Sequence, residues 1–234
     1  FTHPDLPVNI DMSIVKSSPR QGYGMKKTYS IDEAGVFNNP EVYEFEIEVD
    51  NTRIGPVTEF NSPQDVLDGI KKAIKYVLMG FQRTNYPVSI VEQNETAQSY
   101  MKLIHGKGYV PKKNLYPKNF IGPSSFTLQM ENIVKETDIM NVPNIRKDFV
   151  VTDKADGERR LMFIDPKGRI YLIDTNMSVI FTGAITELKQ CFNSLFDGEL
   201  ILHNKNKQFI NLYAVFDAYF MNGRDVIQLK FMLD

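Results

Sequence analysis

The chain has 234 residues, 42% of them hydrophobic, with 27 Lys and Arg against 29 Asp and Glu, a formal charge of -2. That length supports one or two ordinary cores, and the charge balance excludes a generic basic coat for nucleic acid, so any such contact must be local. The single cysteine, Cys191, excludes an internal disulfide framework and fits a reducing compartment; His3, His105 and His203 are too scattered for a zinc site, and no apolar run is long enough to span a bilayer.

In chain order, Val8 to Lys16 reads as a strand, and Val36 to Tyr43 leads into a second one in which Glu44, Glu46 and Glu48 alternate with Phe45, Ile47 and Val49. A strand repeats every two residues, so the three carboxylates share one face and the apolar residues the other. Charged residues on the wet side of a half-buried strand are ordinary. Three like charges on one face nevertheless repel unless a cation sits among them, and Mg²⁺ or Mn²⁺ suits hard oxygen ligands. Ser62-Pro63-Gln64-Asp65 is a helix start, followed by Val66, Leu67, Ile70, Ile74, Val77, Leu78 and Phe81 at helical spacing. A second, short helix is predicted over Thr96 to Ile104. Gly106 to Pro123 is rich in Lys, Pro and Gly and reads as a linker, with Lys107, Lys112, Lys113 and Lys118 as solvated charge in preference to an RNA contact. Leu128 to Ile139 is helix-like.

Lys154-Ala155-Asp156-Gly157-Glu158-Arg159 fits Lys-x-Asp-Gly-x-Arg. A lysine amine placed in a pocket can attack an α-phosphate and hold the nucleotide through a P–N bond. Cationic neighbours and partial burial favour the neutral amine that attack requires. The Asp-Gly step is read here as a sharp turn that projects the lysine from a strand end; a charged hairpin turn is the bland alternative. Leu161 to Ile164 and Ile170 to Ile173 are short strands joined by the turn residues Asp165 to Arg169. Phe196-Asp197-Gly198-Glu199-Leu200-Ile201 reads as a turn entering an apolar run, and Asn211 to Tyr219 as a buried strand in which Asp217 makes structural hydrogen bonds.

The lysine signature, Phe-Asp-Gly-Glu-Leu-Ile and Tyr-Ala-Val-Phe-Asp-Ala-Tyr, in this order, resemble three motifs of the covalent nucleotidyltransferase superfamily. That superfamily holds mRNA capping guanylyltransferases and ATP-dependent DNA and RNA ligases. The resemblance implies Lys154 as nucleophile, Arg159 on the ribose, Glu199 on the ribose or a metal-bound water, and Phe216 stacked on the purine. Thr175 stands where guanylyltransferases often carry arginine. The Glu44 to Glu48 strand and Val8 to Lys16 resemble strands of the tunnel-type RNA 5′-triphosphatases, with Asn9 where that family often has arginine. On this resemblance Glu44, Glu46 and Glu48 would bind the metal, and Lys16, Arg20, Lys26 and Lys27 could supply positive charge, a solvated basic stretch being the preferred reading for any one of them.

Triphosphatase followed by nucleotidyltransferase is the layout of the multifunctional mRNA capping enzymes of large cytoplasmic DNA viruses, which the chain resembles over nearly its whole length. The implied fold is α+β: a partial antiparallel β-barrel, the triphosphatase tunnel, over 1–105, a linker over 106–125, and the start of a nucleotidyltransferase fold over 126–234. The implied function is transfer of GMP from GTP to diphosphate-ended RNA, with Mg²⁺ or Mn²⁺ as metal, no membrane partner, and the host cytoplasm or virion as its place. Strands and motifs usual in these families are not found at either end, so the chain reads as a segment of a longer protein, and such viral enzymes often continue into a methyltransferase. Two alternatives stay open: an ATP-dependent polynucleotide ligase, and a non-catalytic module that binds RNA or a partner subunit.

Overall fold

A computed structural model describes residues 1–135, 142–146 and 149–230, and the chain divides into two compact units, Phe1–Phe81 and Gln82–Asp234. In the first unit, β1 (Val8–Val15) is followed by a small hairpin of β2 (Arg20–Gln21) and β3 (Gly24–Met25), a single-turn α1 (Ile31–Ala34), then β4 (Val42–Val49) and α2 (Pro63–Gln82). β1 and β4 pair antiparallel with Ile10 opposite Ile47 and Met12 opposite Phe45, which gathers the apolar side chains on one face. Leu6, Val8 and Ala73 are buried there, with Ile10, Ile47 and Ile70 packed around them. The Phe81 ring meets Phe45 edge-on, with centroids 4.8 Å apart. The expected helix is present, and its start is a reciprocal cap. The Ser62 N–H donates to Asp65 Oδ2 (3.1 Å) and the Asp65 N–H to Ser62 Oγ (3.2 Å).

No closed barrel is seen among the described residues, so the expected triphosphatase tunnel is not confirmed. Among the described residues this unit holds only two two-stranded sheets, β1–β4 and β2–β3. Two strands cannot curl far enough to enclose a tunnel, which needs a staggered sheet closing on itself.

The second unit opens with α3 (Ile90–His105), six residues longer at its start than the predicted helix. The Ser89 hydroxyl accepts from the Glu92 N–H (3.1 Å), a cap written in the sequence as Ser-x-x-Glu. The strands β5 (Glu158–Ile164), β6 (Arg169–Ile173), β7 (Val179–Ile185), β8 (Ser194–His203), β9 (Phe209–Met221) and β10 (Arg224–Asp225) make one antiparallel sheet in the order β10-β9-β8-β5-β6-β7. Leu161, Phe163, Tyr171, Ile173, Leu195 and Phe220 on the sheet are buried in one cluster with Ala97, Tyr100 and Met101 of α3. The predicted β5–β6 hairpin forms, with the Asp165 carboxylate accepting from the N–H groups of Lys167 (2.7 Å) and Arg169 (2.9 Å) and Gly168 at φ +80°.

Three sequence expectations change here. Residues 106–123 read as a linker by composition, yet they lie on the core of the second unit, and the units divide at 81/82. Tyr109, Leu115, Phe120 and Ile121 pack on that core. The buried Tyr100 hydroxyl donates to the Asn119 carbonyl and accepts from the Ile121 N–H, both at 2.9 Å. The stretch 128–135 holds a 3₁₀ turn, Met130–Asn132, in place of a helix, and residues 136–139 of that prediction lie outside the described residues. Asn132 explains the turn: its side chain takes the Gln129 N–H (2.8 Å) and donates to the Pro143 carbonyl (2.9 Å), competing with helical pairing. Finally, β9 is not a buried strand. Only Tyr219 and Phe220 are buried, because β8 covers one edge and β10 reaches only Phe220 and Met221. No helix among the described residues is long and apolar enough to cross a membrane.

Candidate active site

The site is assembled where β5 enters the sheet beside β8 and β9. β5 pairs with β8 so that Arg159 faces Glu199 and Leu161 faces Asp197. β8 pairs with β9 through a bulge: Asp197 lies opposite Asp217 and Gly198 opposite Val215, leaving Phe216 as the extra residue. Such an insertion turns the local side chains out of register. A cleft of about 460 Å³ lies there, lined by Thr152, Asp153, Lys154 and Ala155 from the irregular segment before β5, Glu199 from β8, and Ala214, Val215 and Phe216 from β9. That volume is in the range of small-molecule sites.

Lys154, Glu199 and Phe216, singled out from sequence, therefore line one pocket. Lys154 is exposed, and among the described residues its ammonium donates only to the neighbouring Ala155 carbonyl, at 3.0 Å. Phe216 is 38% exposed, so a face of its ring is free for a flat ligand. Glu199 Oε2 is buried without a hydrogen-bond partner among the described residues. A desolvated carboxylate oxygen left unpaired is costly, and a ligand hydroxyl or a hydrated cation delivered to the cleft would satisfy it.

The glycines of both Asp-Gly steps are needed for close approach; the chain bends at Gly157 just before β5, whereas Asp197-Gly198 lies within β8 and is not a turn. Gly157 does not have positive φ. A Cβ on it would lie 2.6 Å from the Leu200 carbonyl oxygen, where β5 meets β8. Gly198 sits inside β8, and a Cβ there would lie 2.5 Å from the Ala214 oxygen and 2.7 Å from the Tyr213 ring. Beneath it the Tyr213 hydroxyl donates to the Arg160 carbonyl at 2.7 Å. The charged-hairpin alternative for the lysine signature fails for the same reason: Glu158 onward is a central strand.

Arg159, expected on the ribose, is not among the residues that line the cleft. Its guanidinium grips Asp197 with both arms, Nε to Oδ1 at 3.1 Å and Nη2 to Oδ2 at 2.5 Å, while Nη1 donates to the Pro123 carbonyl at 2.9 Å. The Phe120 ring stacks on its other side, 5.5 Å from the guanidinium carbon. Asp197 is fully buried and also accepts from the Tyr219 hydroxyl at 2.5 Å. The hydrogen bond that it donates to Asp197 holds the Arg159 guanidinium above its ordinary basicity. Burial, and then the Asp197 carboxylate, push the Tyr219 phenol up. Gly122, at φ +132°, closes this clamp, since a Cβ would fall 2.5 Å from Arg159 Nη2. Asp197, Tyr219 and Gly122 escaped the sequence reading. The signal was present: Asp197 stands two residues before Glu199, on the same face of one strand.

Thr175, the residue in place of an arginine, lies in the β6–β7 turn, where the Asp174 carboxylate accepts from the N–H groups of Asn176 (2.9 Å) and Ser178 (2.8 Å). In the first unit, Glu44, Glu46 and Glu48 lie opposite Ser13, Asp11 and Asn9 and are all exposed. Among the described residues no group of three or more His, Cys, Asp or Glu is placed to hold a metal ion. The carboxylate chemistry suits Mg²⁺ or Mn²⁺, but this ladder alone does not fit the ion.

The catalytic-domain family of mRNA capping enzymes matches residues 88–233. The chain belongs to that family. It is also 29% identical over 217 residues to a "Probable mRNA-capping enzyme" of Acanthamoeba polyphaga mimivirus, which covers 92% of this chain and 15% of the viral protein. The family match contains the whole cleft and the Arg159 clamp, and leaves out Glu44, Glu46 and Glu48. The mimivirus similarity is long enough to extend into the first unit.

Proposed function

We propose that the cleft is the guanylyl-transfer site of an mRNA capping enzyme. Lys154 Nζ attacks the α-phosphorus of GTP; the P–N bond forms, the bond to pyrophosphate breaks, and the amine proton leaves to solvent. A β-phosphate oxygen of diphosphate-ended RNA then attacks the same phosphorus, breaks the P–N bond and regenerates the lysine. The observation that carries this reading is the convergence of an exposed amine, a free aromatic face and an unpartnered buried carboxylate oxygen in one cleft of nucleotide size.

In this reading Phe216 stacks on guanine and Glu199 Oε2 accepts from a ribose hydroxyl. Arg159 stands opposite Glu199 on the same face, so it reaches the sugar by giving up the Pro123 carbonyl while keeping Asp197. The glutamates of β4 match a triphosphatase in residue type, which supports assigning the first unit to RNA 5′-triphosphate processing. Among the described residues no group of three or more such side chains is placed to hold an ion there.

The test is incubation of the full-length protein with Mg²⁺ and α-labelled GTP or ATP, followed by denaturation. Label retained from GTP and lost in Lys154→Ala supports guanylyl transfer. Label from ATP supports a polynucleotide ligase, and no label supports a non-catalytic module.

A further inference from the structure

Residues 96–130 are the longest stretch of the chain without an aspartate or glutamate: 35 residues holding Lys102, Lys107, Lys112, Lys113 and Lys118. Five lysines and no acid give this stretch a formal charge of +5 in a chain of net charge -2. Lys102 is accounted for by the last turn of α3, where a cation complements the helix dipole. The other four lie between Gly106 and Pro123, are exposed, and make no ion pair among the described residues.

Solvated linker charge is the ordinary explanation for such lysines, and the structure removes its premise. The backbone that carries them is fixed. Gln98 Nε2 donates to the Lys112 carbonyl (2.8 Å), the Tyr109 hydroxyl donates to Gln98 Oε1 (2.7 Å), and the Tyr116 N–H donates to Asn119 Oδ1 (2.9 Å). A pinned segment offers its ammonium groups at lower entropic cost than a flexible one. Exposed aromatics accompany the charge: Tyr116, with the Lys118 ammonium 5.9 Å from its ring centroid, and Phe126 beyond it. Cations interleaved with exposed rings suit single-stranded nucleic acid, whose phosphates and bases alternate. The far end of the segment, Phe120 to Pro123, is fastened to Arg159, whose strand partner Glu199 lines the cleft.

We infer that the segment 106–123 binds the phosphates of single-stranded RNA behind the 5′ end that enters the cleft, with Lys112, Lys113 and Lys118 as cations and Tyr116 as a stacking platform. This rests on the guanylyl-transfer reading for which RNA end is engaged. The test uses the full-length protein, a 5′-diphosphate RNA oligonucleotide and, separately, a 5′-diphosphate dinucleotide too short to leave the cleft. The triple variant Lys112→Glu, Lys113→Glu, Lys118→Glu is compared with a charge-matched control on α2, Lys71→Glu, Lys72→Glu, Lys75→Glu.

For the oligonucleotide, the segment variant should bind about 10-fold or more weakly than wild type. Its log K against log salt should be shallower by roughly 2, since each phosphate contact to a single strand contributes about 0.7. The dinucleotide should bind all three proteins alike. Label formation from GTP, which needs no RNA, should persist and shows that the variant is folded. Tyr116→Ala, which leaves charge unchanged, should weaken the oligonucleotide several-fold without altering the salt slope. Unchanged affinity and slope in the segment variant, or an equal loss in the α2 control or with the dinucleotide, overturns the inference. Absence of GTP label from wild type overturns the guanylyl-transfer reading instead, and the binding comparison still decides this one.

Discussion

Asp197 and Glu199 on β8 stand two residues apart on one strand face, as do Glu44, Glu46 and Glu48 on β4, yet the two strands use their carboxylates in opposite ways. Asp197 is fully buried and held by Arg159 and Tyr219, and Glu199 lines a cleft; the glutamates of β4 are all exposed. The difference is neighbours. β8 is flanked on both sides, by β5 carrying Arg159 and by β9 carrying Tyr219 and the Phe216 bulge, whereas β4 pairs with β1 alone. Alternation puts like residues on one face; only strands on both sides, and a break in register, bring them to a point.

The comparison can be broken most forcefully at Asp197. Asp197→Ala leaves the Arg159 guanidinium without its counter-ion and should destabilise the second unit by about 3 kcal/mol, at the lower end for broken buried pairs because Arg159 keeps some solvent. The measurement is the midpoint of denaturant unfolding. Tyr219→Phe removes a hydrogen bond to the same charge and should cost about 2 kcal/mol.

The pH dependence of the same unit sharpens the contrast. Burial, then the Glu92 hydrogen bond, push the Tyr171 phenol up to about 12, and burial pushes the Tyr100, Tyr213 and Tyr219 phenols up as well. An unfolded phenol titrates near 10. Raised in the folded state, these groups contribute stability that is fully present below about pH 10 and is lost as pH climbs through about 12. Unfolding midpoints should therefore fall steadily over that window, and less steeply in Tyr219→Phe; a midpoint flat from pH 10 to 12 would be inconsistent with the buried phenols.

Gly157→Ala forces a methyl against the Leu200 carbonyl and should cost about 1–2 kcal/mol, with GTP labelling reduced because Lys154 lies just before the disturbed pairing. The smallest effect belongs to β4. Replacing Glu44, Glu46 and Glu48 together by Gln should leave the first unit unchanged or stabilise it by up to about 1 kcal/mol through relief of like-charge repulsion. A large loss there would show that a cation or partner holds the strand.

Much of the site was legible from single residues, and what was missed depended on pairs of strands. Lys154, Glu199 and Phe216, each marked by a local pattern, line one cleft. Arg159 was also found, but its partner was not, since Asp197 was read into a turn with Gly198 when both lie within a central strand. Composition misled at 106–123, where Pro, Gly and Lys suggested a linker although Tyr109, Leu115, Phe120 and Ile121 had the apolar surface to pack on the core. The barrel is not confirmed, because an alternating strand specifies a face and says nothing about how many strands will join it.

The central claim is that Lys154 becomes bonded to GMP. Incubating the full-length protein with GTP and Mg²⁺, then locating the adduct by mass spectrometry of its peptides, tests that claim most directly. The account gives a GMP adduct on Lys154, absent in Lys154→Ala; an adduct on any other lysine, or none with GTP while ATP yields one, contradicts it.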